Sequence, residues 1–130
     1  GREGEFYRGT LRSGQVLESV SSVVIVGDVN PGAKIISQGN IVVLGALKGN
    51  AYAGAAGDSN CFIVALEMDP IQIQIGDILA KSPDHKKMKP RRLRRKEKTP
   101  VTPEAQIAVA KGGNIYIEPV TRGSLNDYTR

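Results

Sequence analysis

The 130-residue chain has the length of one domain, with 40% hydrophobic residues, 5% aromatic residues and no Trp. Its net charge of +5 is uneven: residues 1–80 hold five Lys or Arg against eight Asp or Glu, residues 81–98 ten against two, and residues 99–130 three of each. The mildly acidic body argues against a fold that grips duplex nucleic acid with a basic face. One His and one Cys exclude a zinc site and leave little for nucleophilic catalysis.

The chain begins at Gly1 without a signal-peptide pattern, and no apolar run is long enough to span a bilayer. It reads as a piece of a longer protein, with a further domain expected before it. Residues 1–8 read as the end of a linker. The lone Cys61, among Phe62, Ile63 and Val64, reads as a buried structural thiol in a cytosolic protein.

Residues 9–80 repeat. Gly9, Gly27 and Gly45 fall in one column at an offset of 18, as do Leu11, Val29 and Leu47, the polar Arg12, Asn30 and Lys48, and Gln15, Ala33 and Ala51. Short Val- and Ile-rich segments broken by Gly, Pro or Asn read as strands and tight corners, and no helical period is sustained. Three short sides in 18 residues predict an all-β fold: a three-sided parallel β-helix whose coils stack about 4.8 Å apart. The corner Leu11-Arg12-Ser13-Gly14-Gln15 carries an exposed Arg, and stacking puts Lys48 two coils from it, about 10 Å along the axis.

Val23–Val26 and Ile41–Leu44 are apolar at successive positions. Successive strand residues face opposite ways, so one set must point out. Val23, Ile25, Ile41 and Val43 are the candidates for an outward ladder, with the complementary set as the alternative. Such a ladder needs cover, from the C-terminal segment or from a second copy across a two-fold axis. Gly54–Asn60 reads as a loop in a crowded coil rather than a phosphate cradle. Cys61–Leu66 is the next strand. Ile71–Ile75 alternates as a half-buried strand, and Gly76–Leu79 closes the last coil.

Residues 81–102 form a proline-bearing basic insert too polar to fold alone. Three readings compete for its 85–98 core: a solvated linker, a contact with anionic lipid headgroups, or a weak nucleic-acid tether. His85 lies within it and reads as exposed and idle. Residues 103–119 read as a terminal hairpin of the same domain turning at Gly112-Gly113, with Thr102-Pro103-Glu104 as a competing helix start. Residues 120–130 read as a frayed tail. No cofactor, metal or catalytic residue is expected.

The ordered set of motifs resembles the C-terminal domain of the septum-site-determining MinC family. Arg12-Ser13-Gly14-Gln15 is similar to the signature that opens that domain. Gly27-Asp28-Val29-Asn30-Pro31-Gly32-Ala33, Gly39–Gly45, Lys48-Gly49 and Ala53-Gly54 follow its later coils. Residues 71–84 and Ile115–Pro119 resemble its closing segments, so the resemblance covers roughly 8–84 and 103–119. It implies a right-handed β-helix that dimerises through one face, binds the membrane-associated ATPase MinD in its ATP-bound form and opposes assembly of FtsZ. It implies a cytoplasmic protein recruited to the inner face of the cell membrane by its partner. It places partner contact on Arg12, Ser13, Gly14 and Gln15; Gly32, Lys48 and Gly49 on the stacked corners extend that surface. A family position linked to FtsZ, usually basic, is here Asn50, and the family's N-terminal inhibitory domain is expected outside this chain. A self-assembling β-helix scaffold of the bactofilin type is the alternative. A hexapeptide-repeat acyltransferase is a third reading, disfavoured because no His lies in the coil body.

Overall fold

The computed structural model describes residues 4–81 and 104–128. The basic run 85–98, with His85, lies outside the described residues, as does the proposed helix start at Thr102-Pro103. Two sheets and a narrow third side wrap a solenoid of four stacked coils. The first sheet runs β1 (Glu5–Arg8), β3 (Val23–Val26), β5 (Ile41–Leu47) and β7 (Ile63–Met68), all parallel. The second runs β2 (Val16–Ser19), β4 (Lys34–Ser37), β6 (Asn50–Ala53) and β8 (Gln72–Ile75), also parallel. The third side is a ladder of single bridges, Leu11 to Val29 to Leu47, which β5 continues to Met68.

The inward residues of the three sides meet in one core. Leu11, Val29 and Leu47 enter from the third side, Val23, Ile25, Ile41, Val43 and Ile63 from the first sheet, and Ile35, Ala51, Ile73 and Ile75 from the second. Small Ala33, Ala51, Ala53 and Ala65 keep the lumen narrow enough to close-pack. The glycine column has a packing reason. A Cβ on Gly45 would strike the carbonyl oxygen of Gly27, and one on Gly27 would strike that of Gly9. At this corner backbone rests on backbone, with no room for a side chain.

The register corrects the uniform repeat. Phe6 pairs with Val24 and Val24 with Val42, a step of 18 each time. On the second sheet Leu17 pairs with Ile35, but Ile35 pairs with Ala51, a step of 16. The corner Asn30-Pro31-Gly32-Ala33 has shrunk to Lys48-Gly49 on the third coil, so Ala51 stands over Ile35 and not over Ala33. The loop Gly54–Asn60 then lengthens that coil, and both Ile41–Ile63 and Ala51–Ile73 step by 22. A bulge between Val43 and Ala46 takes up one residue, so Leu47 meets Met68.

The outward ladder is the complementary set. Val23, Ile25, Ile41 and Val43 are at most 1% exposed and belong to the core, so they offer nothing to a second copy. Alternation sends Phe6, Val24, Val42 and Val64 outward in one row, with Val26, Leu44 and Leu66 beside them. Phe6 is 70% exposed, and Val26, Leu44 and Leu66 are each more than 40% exposed.

Antiparallel strands close the fourth coil. On the second sheet β8 turns through Gly76-Asp77 into β9 (Ile78–Lys81). On the first sheet β10 (Gln106–Lys111) pairs with β7 and with β11 (Asn114–Pro119), a hairpin whose turn glycines Gly112 and Gly113 both have positive φ. Within the expected tail, Arg122–Tyr128 form a helix, α1, capped where Thr121 Oγ1 accepts the Ser124 N–H at 3.0 Å and Ser124 Oγ accepts the Thr121 N–H at 2.7 Å. Tyr128 Oη meets Glu118 Oε2 at 3.0 Å, and Lys111 Nζ lies 5.7 Å from the Tyr116 ring centre and 5.6 Å from that of Tyr128, tying the helix to the hairpin.

Cys61 is a buried free thiol, and burial with the neighbouring charge of Asp58 pushes its pKa up to about 11. At pH 8 it should therefore react with a disulfide reagent at least about tenfold more slowly than an unfolded-chain thiol, the scarcer thiolate being partly offset by its greater nucleophilicity. A rate near the denatured value, measured by absorbance, would contradict this. Ile35→Ala should cost about 2–5 kcal/mol of unfolding free energy in urea titrations, because its cavity sits mid-stack.

Candidate functional site

The corner Arg12–Gln15 joins the third side to β2 and folds on itself. Gln15 N–H donates to Arg12 C=O at 2.9 Å, and Arg12 N–H donates to Gln15 Oε1 at 2.6 Å. Gln15 therefore holds the corner shut with its own side chain, while Arg12, Ser13 and Gly14 stand exposed. The second coil copies the shape: Ala33 N–H donates to Asn30 C=O at 2.9 Å. The two corners are hydrogen-bonded through Asn30 N–H to Leu11 C=O, Gly14 N–H to Gly32 C=O, and Lys34 N–H to Gln15 C=O.

Gly14 and Gly32 share a left-handed backbone, with φ of 90° and 92°. At Gly32 space forbids a side chain as well, because a Cβ would strike Ser13 Oγ. At Gly14 nothing lies within 4 Å of that position, so this stretch of backbone is open to a partner. The pair forms a low glycine ledge beside Arg12.

The third coil recedes. Lys48 N–H donates to Val29 C=O at 2.8 Å, which stacks Lys48 in the column of Asn30 and Arg12. Gly49 is buried, and a Cβ on it would lie 2.5 Å from both Asn30 O and Ala33 O. It shapes the surface from beneath and is not a contact residue, which corrects its place among the candidate contacts. Asn50 is half-buried on β6 and brings no charge to the corner.

The fold thus brings together Arg12, Ser13, Gly14, Gln15, Gly32 and Lys48 on one edge of the solenoid. Two neighbours were missed from the sequence. Asp28 Oδ1 accepts the Ala46 N–H at 2.8 Å, across one step of the repeat. Glu67 Oε2 lies 3.9 Å from Lys48 Nζ, with both side chains nearly half exposed. Glu67 escaped notice because Ala46 pairs with it at a step of 21, not 18. Among the described residues no group of three His, Cys, Asp or Glu side chains could hold a metal ion. A cavity of about 380 Å³ between the Ser59–Cys61 segment, β10 and α1 shares no residue with this edge. What the edge offers is recognition: a fork-shaped cation beside bare backbone, suited to a carboxylate or carbonyl on another protein.

Comparison with known proteins agrees with the fold. The profile of the septum formation inhibitor MinC, C-terminal domain, matches residues 5–120. A probable septum site-determining protein MinC of Agathobacter rectalis is 68% identical over 122 residues, 94% of this chain and 49% of that protein. One of Lachnospira eligens is 50% identical over 122 residues, 94% of this chain and 48% of that protein. The chain thus spans about half the length of the curated relatives it matches. Among solved structures, a chain of the MinC:MinD cell division protein complex of Aquifex aeolicus superposes with a TM-score of 0.74 at 31% identity, covering 96% of this chain and 94% of that one. With a matched profile spanning all four coils and the closing hairpin, the chain belongs to the septum formation inhibitor MinC C-terminal domain family.

Proposed function

We propose that this chain is a dimeric adaptor that binds ATP-bound MinD through the Arg12 edge and so helps to place the division septum by opposing FtsZ assembly. The observation that carries this reading is the likeness, over nearly the whole chain, to a protein solved as a MinC:MinD complex, combined with an exposed Arg beside an open glycine ledge. Arg12, Ser13 and Gly14 supply the contacts. Gln15 positions Arg12, and Gly32 keeps the ledge low. The opposition to FtsZ falls mainly to the half of the relatives' length that this chain does not span. Asn50, in place of a basic residue, adds no charge to any FtsZ contact by this domain.

A second copy covers the outer face of the first sheet. Phe6, Val24, Val26, Val42, Leu44, Val64 and Leu66 present two parallel apolar rows, a self-complementary stripe of the kind a two-fold axis can bury. No helix among the described residues is long and apolar enough to cross a membrane. Recruitment to the inner membrane face then comes from the partner, with residues 85–98 as a second contact with anionic lipid. Enzymatic activity forms no part of the proposal. The bactofilin-type reading is disfavoured by the antiparallel strands at the fourth coil, which end the parallel stack where a filament would have to extend it.

Arg12→Ala should reduce co-sedimentation with MinD and lipid vesicles in the presence of ATP by about tenfold or more, since a charge-assisted bidentate contact is lost. Unchanged recruitment would refute the docking edge. A Val24→Asp, Leu44→Asp variant should run as a folded monomer in size-exclusion chromatography with light scattering, with an unaltered far-ultraviolet spectrum. A persisting dimer would move the interface to another face.

A further inference from the structure

We infer that Glu67 fixes where along the stack an acidic partner can sit, by drawing Lys48 toward the fourth coil and setting a negative charge beyond it. The inference rests on the Arg12 edge being the docking surface. Along the third side the outward residues form two rows. One is Arg12, Asn30, Lys48 and Asp69, aligned by the Asn30–Leu11, Lys48–Val29 and Asp69–Leu47 backbone hydrogen bonds. The other is Thr10, Asp28, Ala46 and Glu67, whose last two members pair in the parallel ladder of β5 and β7.

Charge along these rows is ordered by coil. The first coil brings Arg12. The second brings Asp28, one oxygen of which accepts the Ala46 N–H at 2.8 Å. The third brings Lys48, and the fourth brings the exposed Glu67. Glu67 Oε2 reaches Lys48 Nζ at 3.9 Å, the long end of an ion pair, between side chains 44% and 49% exposed. A pair this open is weak and is readily replaced by a better-placed carboxylate. Its direction matters more than its strength. It biases Lys48 away from Arg12, and it leaves the fourth coil repelling any acidic surface that slides past the third. The partner is therefore favoured at the first three coils, with one strong cation and one conditional one. This is specificity by an unfavourable neighbour as well as by a favourable contact.

The test is the affinity of this chain for ATP-bound MinD at low and moderate salt. Four variants are compared with the unaltered chain: Glu67→Gln, Lys48→Ala, the pair of them and Arg12→Ala. Glu67→Gln should tighten binding roughly two- to fivefold at low salt and steepen its salt dependence, as expected for one freed surface cation. In the Lys48→Ala background that gain should shrink by more than half. Both side chains are nearly half exposed, so thermal melting should change little, separating the effect from folding. Glu67→Gln binding that is equal or weaker, or a gain undiminished without Lys48, overturns the inference while loss of binding in Arg12→Ala keeps the docking edge. If Arg12→Ala binds normally, the docking edge fails and the inference falls with it.

Discussion

The structure depends on one constraint: backbone must lie directly on backbone at the Gly9, Gly27, Gly45 corner. A parallel β-helix has no turns of covalent chain between neighbouring strands of a sheet. Each strand meets its neighbour only after the chain has travelled a full coil. The register is therefore set by corners and by what fits in the lumen. At this corner the carbonyl of one glycine occupies the space a side chain would need on the next. The close approach pins the first sheet to the third side, and the inward ladders of Val23, Ile41, Ile63 and Val29, Leu47 then have a single way to interlock. Buried serines reinforce the opposite corner, where Ser37 Oγ donates to Ser21 C=O at 2.8 Å and accepts the Gly39 N–H at 2.9 Å. The buried Ser37 hydroxyl is thus bonded across coils.

Most of this architecture was legible because an 18-residue period writes itself into several columns at once. The columns of Leu11, Val29 and Leu47 and of Arg12, Asn30 and Lys48 survive in three dimensions. What was not legible follows from two length changes that cancel poorly. The Lys48-Gly49 corner is two residues short, and the Gly54–Asn60 loop more than makes up for it. A sequence column assumes equal coils, so the match of Ala51 to Ala33 was an accident of composition among small residues. The direction of the Val and Ile ladders was equally hidden. Val23-Val24-Ile25-Val26 reads the same from either face, and only packing against the other two sides of the coil decides which residues turn in.

The candidate edge shows the same division. Arg12 and the two turn glycines could be read from residue type alone, since left-handed corners select glycine. The part played by Gln15 could not. Its amide is spent on the Arg12 N–H, so a residue that looked like a contact acts through the backbone of its neighbour. Glu67 was invisible because its partner lies 19 residues upstream in a register no column predicted. The C-terminal helix was missed for a different reason. Seven residues give almost no periodic signal, and the reciprocal Thr121–Ser124 cap is a short motif in a stretch that otherwise resembles a tail.

The antiparallel strands at the fourth coil have one more consequence. They make the solenoid finite at that end, whereas its second coil keeps the 18-residue step of the coil before it. The stretch 23–40 meets the coil before it and the coil after it through matching parallel ladders. A tandem duplication of those eighteen residues could slot in as an extra storey without touching either terminus of the stack. It would lift Arg12 one spacing farther from Lys48 while leaving each corner intact. The reach of the surface is then a quantity the gene can change by copying, independently of the residues that give it its chemistry.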